Sequence, residues 1–236
     1  MASPGAAGRP RAPLSDDPAA EQKRAAAQAA AQLLEDGMRV GLGTGTTVSW
    51  LLPAIAARGL AGLRCVATSP ETEREARGLG LSIEPLDDLD GELDIAIDGA
   101  DQVDPACWLI KGGGGAHVRE KIVAAAARRF VVIVSADKPV AALSAPVPLE
   151  LLRFGARHTL AMLAPARERE GSPPSPDGGL IGDYLGAIGE PAELAAWLSA
   201  TPGVIGHGLF APAMVSEVLI GGADGVVTRR RGAKDA

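Results

Sequence analysis

Four short apolar runs, at residues 40–42, 63–67, 93–97 and 130–134, punctuate the first 140 positions. Each ends at small or polar residues, and enough chain for a helix separates each from the next. Strands alternating with helices in this way predict βαβ units and a parallel sheet. The near-continuous apolar character of the runs suits strands covered on both faces. Helices are expected at 18–35, stopped by Gly37, and at 49–58, 70–79 and 116–129. The start of the third is well marked, because Ser69-Pro70-Glu71-Thr72 places a capping hydroxyl, a first-turn proline and an acid in order. Aromatic residues are only 3% of the chain, so the core must be built from Val, Leu, Ile and Ala.

The pattern changes after Val140. A strand at 145–151, a helix at 156–163, a polar Pro-rich loop at 167–176, a strand at 180–185, a helix at 191–200 and a strand at 204–210 read as a small α+β unit inserted in the chain. Two further strands, 215–221 and 225–228, are expected to return to the first sheet. No internal repeat is visible.

Charge and cysteine usage narrow the function classes. The net charge of −6 supplies no general basic face, which argues against nucleic acid as a partner. Arg229-Arg230-Arg231 is the single basic cluster and reads as a solvated tail. Cys65 and Cys107 have no CxxC spacing and suit reduced core thiols in a cytoplasmic protein. His117, His158 and His207 are scattered, so no metal-ligand spacing exists. Two windows without formal charge, 40–57 and 194–216, are broken by Gly and Pro, so no membrane span is expected. The first 18 residues carry no apolar segment of the kind a signal peptide needs.

Three stretches carry candidate chemistry. Gly41-Leu42-Gly43-Thr44-Gly45-Thr46-Thr47 joins a strand to a helix, where free N–H groups and the Thr44, Thr46 and Thr47 hydroxyls suit a phosphate. It lacks the lysine of a P-loop and the third glycine of a dinucleotide fingerprint, and a tight structural turn is the other reading. Asp98-Gly99-Ala100-Asp101 follows an apolar strand, at the end where open α/β sheets bind ligands. Its acids suit sugar hydroxyls or proton transfer, or simply cap a turn. Lys111-Gly112-Gly113-Gly114-Gly115 leads into a helix with Glu120 in an early turn. Four glycines are costly to order and suggest backbone pressed against a ligand. The helix terminus should hold Glu120 as the anion, ready as a general base, and a glycine hinge with an ordinary exposed Glu is the other reading. Lysine is used only five times against eighteen arginines, which draws attention to Lys111, to Lys138 after the strand at 130–134, and to Lys23.

Taken in order, these motifs resemble the ribose-5-phosphate isomerase A family from about residue 21 to 228. Ala67-Thr68-Ser69, Ala136-Asp137-Lys138, Val147-Pro148-Leu149-Glu150 and the segment 219–225 complete the match. The resemblance implies an α/β fold: a Rossmann-like, mostly parallel sheet domain over 19–143 and 211–236, with an inserted α+β, ferredoxin-like lid domain over 144–210. A flexible tail is expected over 1–18. It also implies interconversion of ribose 5-phosphate and ribulose 5-phosphate through a cis-enediolate, in the non-oxidative branch of the pentose phosphate pathway. No metal and no cofactor are implied, and the protein would be a homodimer or homotetramer. Glu120 matches the proton-shuttling base, and Lys111 and Asp98 match groups that assist ring opening and charge stabilisation. Thr44, Gly45, Thr46, Thr47, Asp98, Gly99, Ala100, Asp101, Lys111, Gly112, Gly113, Gly114, Lys138 and Lys23 match substrate contacts. The chain departs from the family at Gln102, where Glu is common, at Thr46, where Ser is usual, and at the lid turn Ser175-Pro176-Asp177-Gly178-Gly179. A non-catalytic sugar-phosphate sensor, an aminosugar-phosphate deaminase and a coenzyme A transferase on related folds are the competing readings. A nicotinamide-dependent dehydrogenase is disfavoured by the missing glycine.

Overall fold

All four apolar runs form strands. In the computed structural model, which describes residues 17–90 and 92–230, the order is α1 (Pro18–Ala31), β1 (Arg39–Leu42), α2 (Val48–Ala56), β2 (Arg64–Ala67), α3 (Pro70–Gly78), β3 (Ile95–Asp98), β4 (Gln102–Val103), β5 (Leu109–Ile110), α4 (His117–Ala126) and β6 (Phe130–Ser135). There follow β7 (Val147–Leu151), α5 (Ala156–Met162), β8 (Ala166–Glu168), β9 (Leu180–Tyr184), α6 (Pro191–Ala200), β10 (Val204–His207), β11 (Leu209–Phe210), β12 (Glu217–Gly222) and β13 (Gly225–Arg230).

Six strands make the main sheet, in the order β13-β12-β6-β3-β1-β2. The five strands from β12 to β2 are parallel, and β13 closes the other edge as the antiparallel partner of β12. Alternation along each strand sends side chains to two separate cores. Val40, Leu42, Ile95, Ile97, Val131 and Ile133 meet the alanine face of α1 and the apolar side of α2. Ala96, Phe130, Val132 and Val134 meet Val123 and Ala124 of α4 on the opposite face.

Chain direction across this sheet places the ligand-binding crevice. From β1 the chain moves to β2 on one side, then returns to β3 on the other, so the order reverses between β1 and β3. Loops leaving the carboxyl ends of two such strands diverge and leave a gap between them. Here those loops are Gly43 to Thr47 and Gly99 to Asp101.

Helix starts follow the local chemistry. Asp17 Oδ1 accepts from Ala19 N at 3.0 Å ahead of Pro18, and Ser69 Oγ accepts from Thr72 N at 3.2 Å ahead of Pro70. The helix expected to reach residue 35 ends at Ala31. Arg58 takes the carbonyls of Ala31 and Leu34 at 2.5 and 2.6 Å, satisfying the helix end before Gly37 is reached.

The inserted segment folds as βαββαβ, from β7 to β10. Its antiparallel sheet has the order β10-β7-β9-β8, the ferredoxin-like arrangement, over a core of Leu149, Leu151, Leu163 and Leu198. Two expectations are corrected here. The loop at 167–176 begins within β8, whose Arg167 and Glu168 pair with Asp183 and Gly182. The strand at 204–210 is two strands in different sheets: β10 pairs with β7, whereas β11 pairs with β5 in a small sheet with β4. The break falls at Gly208, whose N–H donates to Pro148 O while its carbonyl accepts from Lys111 N. The basic cluster is also corrected, since Arg229 and Arg230 belong to β13. Arg231 and most of the tail at 1–18 lie outside the described residues, although Asp17 and Pro18 begin α1.

Candidate active site

Three buried charges meet where β3, β5 and α4 converge. Asp98 ends β3, Lys111 follows β5, and Glu120 lies in the first turn of α4. Lys111 Nζ stands 2.9 Å from Asp98 Oδ2 and 3.1 Å from Glu120 Oε2, and donates to Gly99 O at 2.6 Å. All three side chains are almost wholly shielded from solvent. The ring of Phe210, delivered by β11, lies 5.5 Å from the same ammonium.

The two carboxylates are held differently. Asp98 Oδ1 accepts from Thr44 N at 3.1 Å and Gly99 N at 2.7 Å, so Asp98 has donors on both oxygens. Gly43 makes this approach possible, since a Cβ there would lie 1.9 Å from Asp98 Cγ. Glu120 has Lys111 alone: the 3.1 Å contact is within ion-pair distance, but no well-directed hydrogen bond reaches Oε2.

Burial pushes the Glu120 carboxyl up to about 8, and the Asp98 charge adds to that push against the pull of Lys111. Burial also raises Asp98, opposed by Lys111 and by the Gly99 and Thr44 N–H groups. With more donors on Asp98, the shared proton resides on Glu120. Burial works against the Lys111 charge, but the two carboxylates outweigh it and hold the ammonium protonated. The expectation that the helix terminus keeps Glu120 anionic is therefore corrected, because desolvation beside a second carboxylate is the larger effect.

A cavity of about 310 Å³ opens above this triad. Fourteen of the fifteen residues singled out in the sequence line it. Lys111 and Glu120 form its floor, with Gly99, Ala100 and Asp101 on one wall and Gly112, Gly113 and Gly114 on another. Thr44, Gly45, Thr46, Thr47, Lys23 and Lys138 complete its lining. Asp98 alone does not reach the cavity; it lies beneath Lys111. Lys23 Nζ donates to Thr46 Oγ1 at 3.1 Å, joining α1 to this loop, and Lys138 pairs with Asp137 at 3.0 Å. The Thr44 hydroxyl has a partner within the protein. It is 2.7 Å from Thr68 Oγ1 and braces the loop from behind.

Gln102 and the lid turn also have local explanations. The Gln102 carboxamide donates to Ser144 O and accepts from Ser144 N, both at 2.9 Å, a reciprocal pairing that a carboxylate cannot make. Asp177 of the turn receives both prongs of Arg119, the residue before Glu120, at 2.8 and 2.6 Å. Sequence reasoning did not single out Phe210 or Arg169, which touches the glycine loop from the lid. A lone aromatic and one arginine in the run Arg167-Glu168-Arg169-Glu170 carry no signal in isolation.

A larger cleft of about 640 Å³ lies between α3, α4 and the lid. Its arginines are already paired, Arg77 with Glu73 and Arg119 with Asp177, and its buried Glu150 carboxyl accepts from Ser175 Oγ at 2.5 Å. Among the described residues, no group of three or more His, Cys, Asp and Glu is placed to hold a metal ion. No helix among them is long and apolar enough to cross a membrane.

The family model for ribose 5-phosphate isomerase A (phosphoriboisomerase A) matches residues 64–225. A ribose-5-phosphate isomerase A of Caulobacter vibrioides is 46% identical over 221 residues, covering 88% of this chain and 96% of its own. The ribose 5-phosphate isomerase A structure from Methanocaldococcus jannaschii superposes with a TM-score of 0.84 at 33% identity, covering 89% of this chain and 98% of that one. A D-ribose-5-phosphate isomerase in complex with phospho-erythronic acid gives 0.85 at 33% identity, with the same coverage.

Proposed function

This chain belongs to the ribose 5-phosphate isomerase A family, and from that premise we propose how its own residues interconvert ribose 5-phosphate and ribulose 5-phosphate. The observation that carries the reading is one buried ammonium on two carboxylates, at the floor of a cavity whose far end gathers Lys23, Lys138 and the Thr46 hydroxyl. A sugar phosphate spans these two ends. Its phosphate lies against the lysines and the N–H groups that open α2, which fixes C1 and C2 over Glu120.

Ring opening moves a proton from the O1 hydroxyl to the ring oxygen. Lys111, held by Asp98, is the group on the cavity floor able to donate and recover that proton. The Glu120 carboxylate then takes the C2 proton, and the electron pair left on C2 forms the C1–C2 double bond of a cis-enediolate. Returning the same proton to C1 while the O2 proton passes to O1 yields the ketose. A base with a pKa near working pH both accepts and returns a proton readily, which suits a reversible reaction. The enediolate oxygens carry the developing charge, and Lys111 and the glycine-loop N–H groups are the donors beside them.

Asp98, in this reading, acts through Lys111 rather than on the sugar. Residues 144–210 serve as a lid over the cavity. We also read the protein as a cytoplasmic homo-oligomer; the exposed Leu152 and Phe154, adjoining β7, supply an apolar surface for a second copy. Purified protein incubated with ribose 5-phosphate and EDTA should form ribulose 5-phosphate, and Glu120→Gln should lose turnover while substrate affinity stays within a few-fold. Near-wild-type turnover in that variant would remove Glu120 as the base.

A further inference from the structure

We propose that Arg169, in the loop after β8, is a positioning residue that sets the polarity of the glycine loop by holding two of its carbonyls from the lid side. Its guanidinium is divided between two tasks. Nε and Nη2 grip Asp183 at 2.9 and 2.6 Å, which fixes the plane of the fork. Nη1 donates to Gly112 O at 3.1 Å and to Gly113 O at 2.9 Å. Arg169 does not line the cavity, so any effect on the reaction passes through the loop. The inference rests on the isomerase reading of that cavity.

The consequence follows from peptide geometry. In a trans peptide, C=O and N–H point in opposite directions. The peptide joining Gly112 to Gly113 is held at both edges without Arg169, its carbonyl by the Gly115 N–H at 3.0 Å and its N–H by Asp101 Oδ2 at 2.9 Å, and Arg169 adds a second donor to that carbonyl. In the next peptide the Gly113 carbonyl is drawn to Arg169, so the Gly114 N–H is turned away from the guanidinium. That N–H makes no hydrogen bond within the described residues. The loop forms a cavity wall, so a Gly113 carbonyl drawn outward leaves the Gly114 N–H to face an anionic intermediate. Flipped, the Gly113–Gly114 peptide would present oxygen to negative charge. Glycine peptides flip at little steric cost, and Gly112 already has φ +105°. A lysine could not replace this hold, because one ammonium cannot span Asp183 and two carbonyls with fixed geometry.

Arg169→Met should lower kcat by roughly 10–100-fold, somewhat less than complete loss of an oxyanion donor, while KM for ribose 5-phosphate changes less than about 3-fold. Affinity for phospho-erythronic acid, whose carboxylate imitates the enediolate, should fall with kcat. Arg169→Lys should recover only part of the rate. Amide hydrogen exchange at Gly113 and Gly114, measured without ligand, should quicken in Arg169→Met. Arg119→Met is the control: it breaks an ion pair between α4 and the inserted segment without touching the loop and should keep kcat within about 2-fold. The proposal is overturned if Arg169→Met lowers Tm but leaves kcat intact, if Arg119→Met costs as much rate, or if loop exchange does not change. A wild-type protein inactive on ribose 5-phosphate would defeat the isomerase reading instead, and the exchange comparison would still test the grip on the loop.

Discussion

Replacing Asp98 with asparagine removes one of two buried negative charges around Lys111 while keeping the side chain's shape. Asp98 Oδ1 accepts two backbone N–H groups, so the asparagine oxygen takes that side and its NH₂ turns toward Lys111. Two donors then face each other where an ion pair stood at 2.9 Å. Both carboxylates contact one ammonium, so their oxygens are at most about 6 Å apart. At an effective dielectric near 20, two unit charges at about 6 Å interact by nearly 3 kcal/mol, or about two pKa units. Removing Asp98 therefore releases much of the push that holds Glu120 near 8. Lys111, deprived of its stronger partner, also moves onto Glu120 and lowers it further.

The sign is fixed by the role of Glu120. The base must be ionised in the free enzyme, so kcat/KM climbs as pH rises through its pKa. The wild-type profile should rise to a plateau above about pH 8. In Asp98→Asn the same limb should move down by about one to two units, with a lower plateau because Lys111 is misplaced. Ribulose 5-phosphate formation measured from about pH 5.5 to 10 reads both effects; the substrate phosphate, ionising near pH 6, is common to the two proteins. A limb that stays put or moves up in Asp98→Asn would refute the account of how Glu120 keeps its proton.

Lys138→Ala should raise KM for ribose 5-phosphate about 10-fold with kcat nearly unchanged, because it lines the cavity and pairs with Asp137 rather than with the buried triad; a change confined to kcat would contradict a binding role. Gly43→Ala should cost about 1–3 kcal/mol in denaturant unfolding and nearly all activity, since the new methyl group overlaps Asp98 Cγ at 1.9 Å. Cys65 should resist alkylation in the native protein at pH 8 and react on unfolding, because burial, helped by Glu84, pushes its thiol up to about 12.

The main sheet was legible because its strands carry their own signal. Residues 130–134 are apolar at every position, so a strand buried on both faces is the simplest outcome, and β6 spans Phe130–Ser135. Elements whose existence depends on distant partners were not legible. β4 and β5 have two residues each and hold together through pairing with each other and with β11. The end of α1 is decided by Arg58, which is 27 positions beyond Ala31. The run at 204–210 looks continuous because the sequence does not show that Pro148 and Lys111 claim the hydrogen bonds of Gly208.

For the site, residue types and strand ends were legible, and the distribution of charge was not. A glycine loop after β1, acids after β3 and Lys111 after β5 must approach one another once the sheet is parallel, since all lie near the reversal in strand order. Which acid keeps a proton is a different kind of fact. Seen in the chain alone, Glu120 at a helix start should be the better-stabilised anion and Asp98 the ordinary turn residue. Packing reverses that order, because the helix terminus contributes about 0.3–1 kcal/mol at exposed positions, whereas burial can shift a carboxyl by several pKa units. Asp98 offsets part of the penalty through two backbone N–H groups and Lys111, and Glu120 has no such set. The asymmetry is what the reaction requires. A fully satisfied Glu120 would be too weak a base to take a proton from carbon, and an unsatisfied Asp98 would compete for the same proton and release Lys111.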